Sequence, residues 1–291
     1  MRWHLTMNRA DRKAWRGATD LAGLGELTAQ WLEGTRRSRP GYVPGYGPDP
    51  ETTDTPGLVR ALALANRAGF VTEASQPGTD GPDSRQDWWA QRASVSGFVA
   101  DPQVLTRLSM VAEQYGLLCI THHPDSADPA HPHGVVATVV NGQEHTWFGA
   151  WMEPETVRLV WKGTGPLAVA AAGRAWQVSL IAPRSGPTRA VTGALFEAFA
   201  DPAQARCVRC GCTEDDACQG GCWWVPGAAM EDVCSACAPD HFEEMAAGIG
   251  DGVAVGYPAG RDPGPIPPHP RFPAAGPDRD PITSNPEESS R

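Results

Sequence analysis

The residues with the clearest chemistry in this chain are cysteines, and seven of its eight fall within one short segment. They are Cys207, Cys210, Cys212, Cys218, Cys222, Cys234 and Cys237. The outer four form two C-x2-C pairs, and this spacing lets four thiolates converge tetrahedrally on one zinc ion. We therefore predict a first metal site at Cys207, Cys210, Cys234 and Cys237.

The three inner cysteines exceed what a single zinc ion needs. Cys212, Cys218 and Cys222 either form a second site, completed by a bridging thiolate or by His241, or stay partly unused. Zinc is the expected metal, in a structural role, because catalytic zinc keeps one position open for water. An iron–sulfur cluster is the alternative, since it also takes a shell of four thiolates.

A second set of metal-ligand side chains lies in the proline-punctuated segment 121–134. An open zinc or iron site at His122, His131 and His133 would make the protein a metal-dependent enzyme. The same segment also contains His123, Asp125 and Asp128. No standard ligand spacing is met and the prolines indicate irregular backbone, so a solvated loop is the preferred interpretation.

Polar residues at the end of a predicted strand form a candidate ligand-binding loop at Thr72, Ser75 and Gln76. No acid or base lies near Ser75 in the sequence, so no nucleophile is predicted there. A turn in which Thr72 and Gln76 bond to the backbone explains the same residues. The sequence contains neither of the glycine-rich motifs that bind nucleotide phosphates.

The net charge of -10, from 34 acidic and 24 basic residues, argues against nucleic acid and anionic membranes as partners. A protein or a small molecule is expected instead. The sequence shows neither a membrane-spanning apolar run nor the apolar core of a secretory signal, so we predict a cytoplasmic protein. Reducing cytosol favours metal-bound thiolates over disulfides. Trp223–Trp224 either cover a small zinc core or form a surface for protein docking.

The elements that must position these groups have local signals. Three helices are predicted from an N-terminal cap or proline, apolar residues at helical spacing and a terminating glycine. They cover 21–33, 56–68 and 102–115, and strands are predicted after the second and the third. Further predicted elements are a hairpin of 134–140 and 144–150 around Asn141–Gly142, a strand over 175–182 and a helix from about 188.

This succession indicates an α+β fold with helices packed on a mixed sheet. The predicted organisation is an α+β domain over 7–200, a cysteine-rich zinc module over 205–245 and a disordered tail over 258–291. The tail has ten prolines and little to bury.

Several motifs resemble those of a known family. The chain carries Gly69-Phe70-Val71-Thr72, then Ser75-Gln76-Pro77-Gly78, and later Thr146-Trp147-Phe148-Gly149. Together with 11–15, 21–34 and 91–99, these segments resemble an uncharacterised actinobacterial domain of unknown function. The resemblance covers 7–200 and implies no activity and no catalytic residue. The cysteine segment separately resembles a short module found beside unrelated partners, which implies metal binding and an accessory role.

These observations favour a non-enzymatic cytosolic protein that binds or regulates a protein partner. The α+β domain would carry the specificity, and the zinc module would supply a rigid surface. A metal-dependent enzyme using the histidine segment and an iron–sulfur redox or sensor protein are the alternatives.

Overall fold

The computed structural model describes residues 7–41, 56–125, 131–201, 204–218, 221–222, 224–226 and 232–238. Its helices are α1 (Arg9–Gly17), α2 (Leu21–Leu32), α3 (Pro56–Arg67), α4 (Pro102–Gln114), α5 (Pro154–Val160), α6 (Pro166–Ala172) and α7 (Ala190–Phe199). Its strands are β1 (Phe70–Gln76), β2 (Thr79–Pro82), β3 (Trp88–Gln91), β4 (Ser94–Val99), β5 (Leu118–His122), β6 (Val135–Val140), β7 (Gln143–Phe148), β8 (Trp176–Ile181), β9 (Trp224–Pro226) and β10 (Asp232–Cys234). The predicted tail over 258–291 lies outside the described residues.

The predicted helix boundaries are confirmed where local chemistry sets them. The Asp20 side chain accepts a hydrogen bond from the Gly23 amide at 2.7 Å and caps α2. Asp101 caps α4 in the same way through the Gln103 amide at 2.8 Å. Gly69, with φ of 99°, ends the turn between α3 and β1, a conformation that glycine adopts without strain. No described helix is long and apolar enough to cross a membrane.

The first sheet has the strand order β1-β4-β8-β5, and its neighbouring strands are antiparallel. Helix α4 leads from β4 to β5, but β8 lies between these two strands and pairs with both. The predicted α+β class is thereby confirmed. The sheet itself is antiparallel rather than mixed, because β8 inserts from far along the chain and keeps the parallel strands β4 and β5 apart.

The second sheet has the order β2-β3-β6-β7 and is also antiparallel. Its predicted hairpin is confirmed: Asn141 and Gly142 join β6 to β7 with φ of 49° and 81°. Both angles are positive, as a two-residue hairpin turn requires. Strands β2 and β3, which complete this sheet, were not predicted from the sequence.

The main core lies where α2, α3, α4 and α7 pack around the first sheet. Its largest fully buried side chains are Trp15, Trp161, Phe70, Phe98, Leu24, Leu62, Leu108, Leu180 and Leu195. Helices α2 and α3 also pack against β1. The end of β1, where the candidate ligand-binding residues lie, is therefore held by helices as well as by β4.

A buried carboxylate fixes the N-terminal helix to the loop that follows α2. Asp11 accepts hydrogen bonds from the Ser38 hydroxyl at 2.8 Å and the Ser38 amide at 3.0 Å, and Arg36 lies 3.3 Å away. Burial by itself would raise the pKa of Asp11, but the hydrogen bonds from Ser38, Asn8 and Arg37 lower it below its ordinary value. The folded protein therefore favours the ionised carboxylate.

Asp11→Asn is expected to lower the free energy of unfolding by about 2 kcal/mol at pH 7, because charge-assisted hydrogen bonds are replaced by weaker ones. A depressed pKa stabilises the fold above the unfolded-state value of about 3.9 and loses this effect as pH falls through the folded-state value. The gap between wild type and variant should therefore close below about pH 4 in urea unfolding. Asp20→Asn is the matched control, since asparagine caps a helix as well as aspartate. A gap that is unchanged at pH 3 would contradict this account.

Candidate metal centre

The buried core of the cysteine segment consists almost entirely of cysteine side chains. Cys207, Cys210, Cys212 and Cys234 are buried, and their cluster contains one other buried residue, Val233. The remaining cluster members, Cys218, Cys222 and Cys237, are partly buried and pack against it. So small an apolar core stabilises a fold poorly, and domains of this kind depend on metal or disulfides.

The backbone around the first C-x2-C pair turns tightly enough to present both sulfurs on one side. The Gly211 amide donates to the Cys207 carbonyl at 2.8 Å, and the Cys207 amide donates to the Cys212 carbonyl at 2.9 Å. The Cys234 amide donates to the Cys207 sulfur at 3.3 Å. A side-chain hydrogen bond with Cys210, supported by backbone amides and opposed by burial, lowers the pKa of Cys207 to about 4. Cys207 is thereby prepared as a thiolate, the form that binds metal.

The distances between sulfur atoms suit a tetrahedral thiolate site. Cys210 Sγ lies 3.5 Å from Cys218 Sγ and 3.6 Å from Cys234 Sγ. Cys212 Sγ lies 3.7 Å from Cys222 Sγ. Zinc–sulfur bonds of about 2.3 Å at tetrahedral angles place the sulfurs about 3.8 Å apart, whereas a disulfide needs about 2.05 Å. These cysteines are unpaired thiols.

Two overlapping groups of four sulfurs can each hold a metal ion. The first is Cys207, Cys210, Cys212 and Cys234, and the second is Cys212, Cys218, Cys222 and Cys234; within each group all sulfurs lie within 4.8 Å of one another. The first group thus contains Cys207, Cys210 and Cys234 of the predicted first site, together with Cys212. The second group contains the three inner cysteines together with Cys234. The Cys237 thiol interacts with Cys210 and Cys234, and burial raises its pKa to about 12. His241 lies outside the described residues.

The cluster is attached to the α+β elements through α3. The Arg60 guanidinium donates to the Ala217 carbonyl at 3.0 Å and lies 4.0 Å from the Cys210 sulfur. It also forms an ion pair with Asp216 at 3.4 Å. Gly57 allows the close approach, because a Cβ atom there would meet the Arg209 carbonyl at 3.0 Å. This part of the chain belongs to the same compact unit as the α+β elements, which covers residues 1–248.

Helix α7 supplies the second attachment. The Phe196 ring lies directly against Gly211, where an added Cβ would come within 2.0 Å of it. Arg206 places its guanidinium 5.2 Å from the centre of the same ring and donates to the Gly211 carbonyl at 3.1 Å. The turn of the first C-x2-C pair is therefore packed against a side chain of the α+β domain.

Arg60→Ala should loosen the cysteine segment without unfolding the domain, because it removes a hydrogen bond, an ion pair and a cation next to the sulfurs. We expect cleavage by a protease within 204–238 to become about tenfold faster, equivalent to about 1.4 kcal/mol of lost attachment. Arg67→Ala is the matched control: it lies on the same helix and pairs with the exposed Glu26 and Glu33. Its effect on cleavage in the segment should be negligible. Equal cleavage rates for both variants would refute the role of Arg60.

The histidine segment is not gathered into a metal site within the described residues. His122 lies in β5, is buried and has its Nε2 atom 2.8 Å from the Gly149 carbonyl oxygen. His131 and His133 are exposed. Asp128, from the same segment, falls outside the described residues. No group of three or more metal-ligand side chains among the described residues includes a histidine.

The residues of the candidate ligand-binding loop all line one cavity. This cavity of about 1140 Å³ lies between α2, the end of α5, β1 and strands β3 and β7, and Thr72, Ser75 and Gln76 form part of its wall. Thr72 is also structural, because its hydroxyl accepts from the Asn66 side chain at 2.7 Å. Gln76 donates to the Arg92 carbonyl at 2.9 Å and thereby joins β1 to the chain leading into β4.

The charged residues that line this cavity, Arg39, Glu73 and Arg85, were not anticipated. Glu73 lies at a bulge in β1, where the register with β4 shifts between Thr72 and Ala74. Burial raises the pKa of Glu73, and the nearby Arg39 partly offsets that effect. Arg39 donates to the Glu73 carbonyl at 3.0 Å and has its guanidinium 5.4 Å from the centre of the Trp31 ring. Because Arg39 is distant in sequence, no local signal could have paired it with the strand.

A family model described as a domain of unknown function (DUF6919) matches residues 10–202. The match ends before the first cysteine of the cluster, and no family model is matched by the cysteine segment. A comparison with curated proteins gives no match.

Proposed function

We propose that this protein, which belongs to the family of the domain of unknown function DUF6919, is a non-enzymatic binding or regulatory protein stabilised by structural zinc. The observation that carries the proposal is the closed, buried cluster of thiols, with sulfur separations of 3.5 to 3.9 Å. A shell made only of thiolates leaves no position for substrate or water, which is the property of structural rather than catalytic zinc. An iron–sulfur cluster is distinguished by its brown colour and labile sulfide.

The proposed partner is a cytoplasmic protein that docks on the exposed face of the cysteine segment. Val208 and Trp224 are 52% and 36% exposed there. Acidic side chains accompany them on the surface, namely Glu214, Asp215, Asp216 and Asp232. A partner with an apolar pocket and a basic rim would match this combination. A buried aromatic anchor contributes binding affinity, and complementary charges raise the association rate and the specificity.

Substitution of one tryptophan tests this proposal. Full-length protein is used to capture partners from a lysate of its source cells, with zinc present or removed. Trp224→Ala should weaken capture of the partner by about 30-fold, the effect of losing an anchor worth about 2 kcal/mol. Trp88→Ala is the control, because Trp88 is 53% exposed but lies on β3. A partner retained equally by both variants, or retained after removal of zinc, would overturn the proposal.

The cavity favours a second candidate function, in which the α+β domain binds a small molecule and regulates the partner interaction. Its volume of about 1140 Å³ is sufficient for a drug-sized ligand. Aromatic rings of Trp31, Trp89 and Trp147 and the carboxylate of Glu73 line the same space. Polar side chains such as Arg39, Gln76 and His145 lie along the same wall, and polar groups that fix the orientation of a ligand are typical of small-molecule sites.

Native mass spectrometry tests this second candidate. Protein purified from its source cells should carry a bound small molecule that is lost on mild collisional activation. Ser75→Trp, which fills the cavity wall, should carry none, whereas Trp88→Ala outside the cavity should retain it. Absence of any bound mass in the wild-type protein, or equal occupancy in Ser75→Trp, would count against ligand binding.

A further inference from the structure

We infer that the cysteine cluster holds two metal ions that share the thiolate of Cys234. This inference rests on the proposed function, since it requires that the cluster bind metal. It goes further in assigning the number of ions and the ligands of each. The first ion would take Cys207, Cys210, Cys237 and Cys234, and the second would take Cys212, Cys218, Cys222 and Cys234.

The count of thiols supports two ions rather than one. Two tetrahedral ions require eight ligand positions, and one sulfur that binds both reduces the requirement to seven. The segment contains seven cysteines, and all of them lie in or against one cluster. A single zinc ion or a single four-thiolate iron–sulfur cluster would leave three of these thiols without a ligand role.

The geometry selects Cys234 as the shared ligand. Its sulfur belongs to both groups of mutually close thiols. It lies 3.6 Å from Cys210, which we assign to the first ion, and 3.9 Å from Cys218, which we assign to the second, and both are separations between ligands of one tetrahedral ion. The sulfurs of Cys210 and Cys218 are 3.5 Å apart, so the two ligand sets meet at Cys234. Cys212 also belongs to both groups, but its 3.7 Å contact with Cys222 assigns it to the second ion. Cys237 is in neither group, but it packs against the cluster and takes the place of Cys212 at the first ion.

The surrounding charges fit a centre with two ions. Seven thiolates and two divalent cations leave three negative charges uncompensated. Three guanidinium groups lie against the cluster: Arg60 lies 4.0 Å from the Cys210 sulfur, Arg209 donates to the Cys237 carbonyl at 3.0 Å, and Arg206 donates to the Gly211 carbonyl. Arg60 also pairs with Asp216, so these cations offset the excess charge in part. Cations next to a buried anionic cluster offset the cost of burying its charge.

Cadmium substitution tests the inference in the full-length protein. We expect elemental mass spectrometry to find two zinc ions per chain, and the ¹¹³Cd-substituted protein to give two ¹¹³Cd resonances that are coupled to each other through the shared sulfur. Cys222→Ala should lose one of the two ions, because Cys222 binds the second ion only. Cys119→Ser, outside the cluster, should keep both.

The outcomes separate this inference from the proposed function. One metal ion per chain in the wild-type protein would overturn the two-ion assignment and leave a structural zinc module intact. Two ¹¹³Cd resonances without mutual coupling would overturn the shared thiolate. Protein that binds no metal at all would overturn both the inference and the function on which it rests.

Discussion

Removal of the bound metal is expected to unfold the cysteine segment over 204–238 while the α+β domain stays folded. The buried cluster of the segment consists of cysteines and Val233, so little apolar area remains to hold it once the thiolates lose their ion. Structural zinc contributes about 10–16 kcal/mol to small domains of this kind, far more than their apolar cores. The α+β domain keeps its own large core around Trp15, Phe98 and Leu180.

Hydrogen exchange measured by mass spectrometry before and after chelation would report both parts of the chain. Amides in 204–218 and 232–238 should lose nearly all protection, whereas those of β4 and β8 should change little. Cys119→Ser should respond like the wild-type protein, because Cys119 lies in β5 away from the cluster. Cys234→Ser should resemble the metal-free protein without any chelator, because Cys234 belongs to both groups of thiols. Protection in the segment that survives complete removal of metal would mean that the ion does not hold this fold.

Gly25→Ala should cause a large loss of stability in the α+β domain through a single added methyl group. A Cβ atom at Gly25 in α2 would meet the Asn66 carbonyl oxygen at 2.2 Å, and that oxygen belongs to the backbone of α3. The two helices must therefore separate, and Asn66 cannot simply turn aside because its side chain holds Thr72 at both the amide and the hydroxyl. We expect a loss of about 3 kcal/mol, as for severe overpacking.

Thermal unfolding provides the measurement, with a midpoint about 6 to 12 °C below that of the wild-type protein. Gly17→Ala is the matched control, because a Cβ atom at Gly17 in α1 meets nothing within 4 Å. Its midpoint should be unchanged or slightly higher, since alanine favours a helix over glycine by up to about 1 kcal/mol. Equal midpoints for both variants would show that α2 and α3 are not in close contact at Gly25.

The elements that could be predicted from the sequence are those whose signals lie within a few residues. Asp20 and Asp101 cap helices through amides two or three positions away. Asn141 and Gly142 form a hairpin turn because their own backbone angles suit it. The seven cysteines indicate metal binding for the same reason, since thiolates are close in the chain and need only a tight turn to converge.

The strand order and the docking of the cysteine segment were decided only by the tertiary structure. Strand β8 lies between β4 and β5 and pairs with both. The sequence of residues 176–181 does not by itself predict which strands are its neighbours. The short helices α5 and α6 likewise follow from packing, since they are too brief for a periodic signal.

The same distinction applies within the candidate site. The sequence by itself determined which residues can bind a metal, because ligand chemistry belongs to the side chain. Only the tertiary structure placed Cys234 between two sets of thiols and brought Arg60 to Cys210 across 150 positions of the chain. Such contacts depend on complementary surfaces that are brought together only by folding. A local sequence pattern therefore does not predict which distant residues will be in contact.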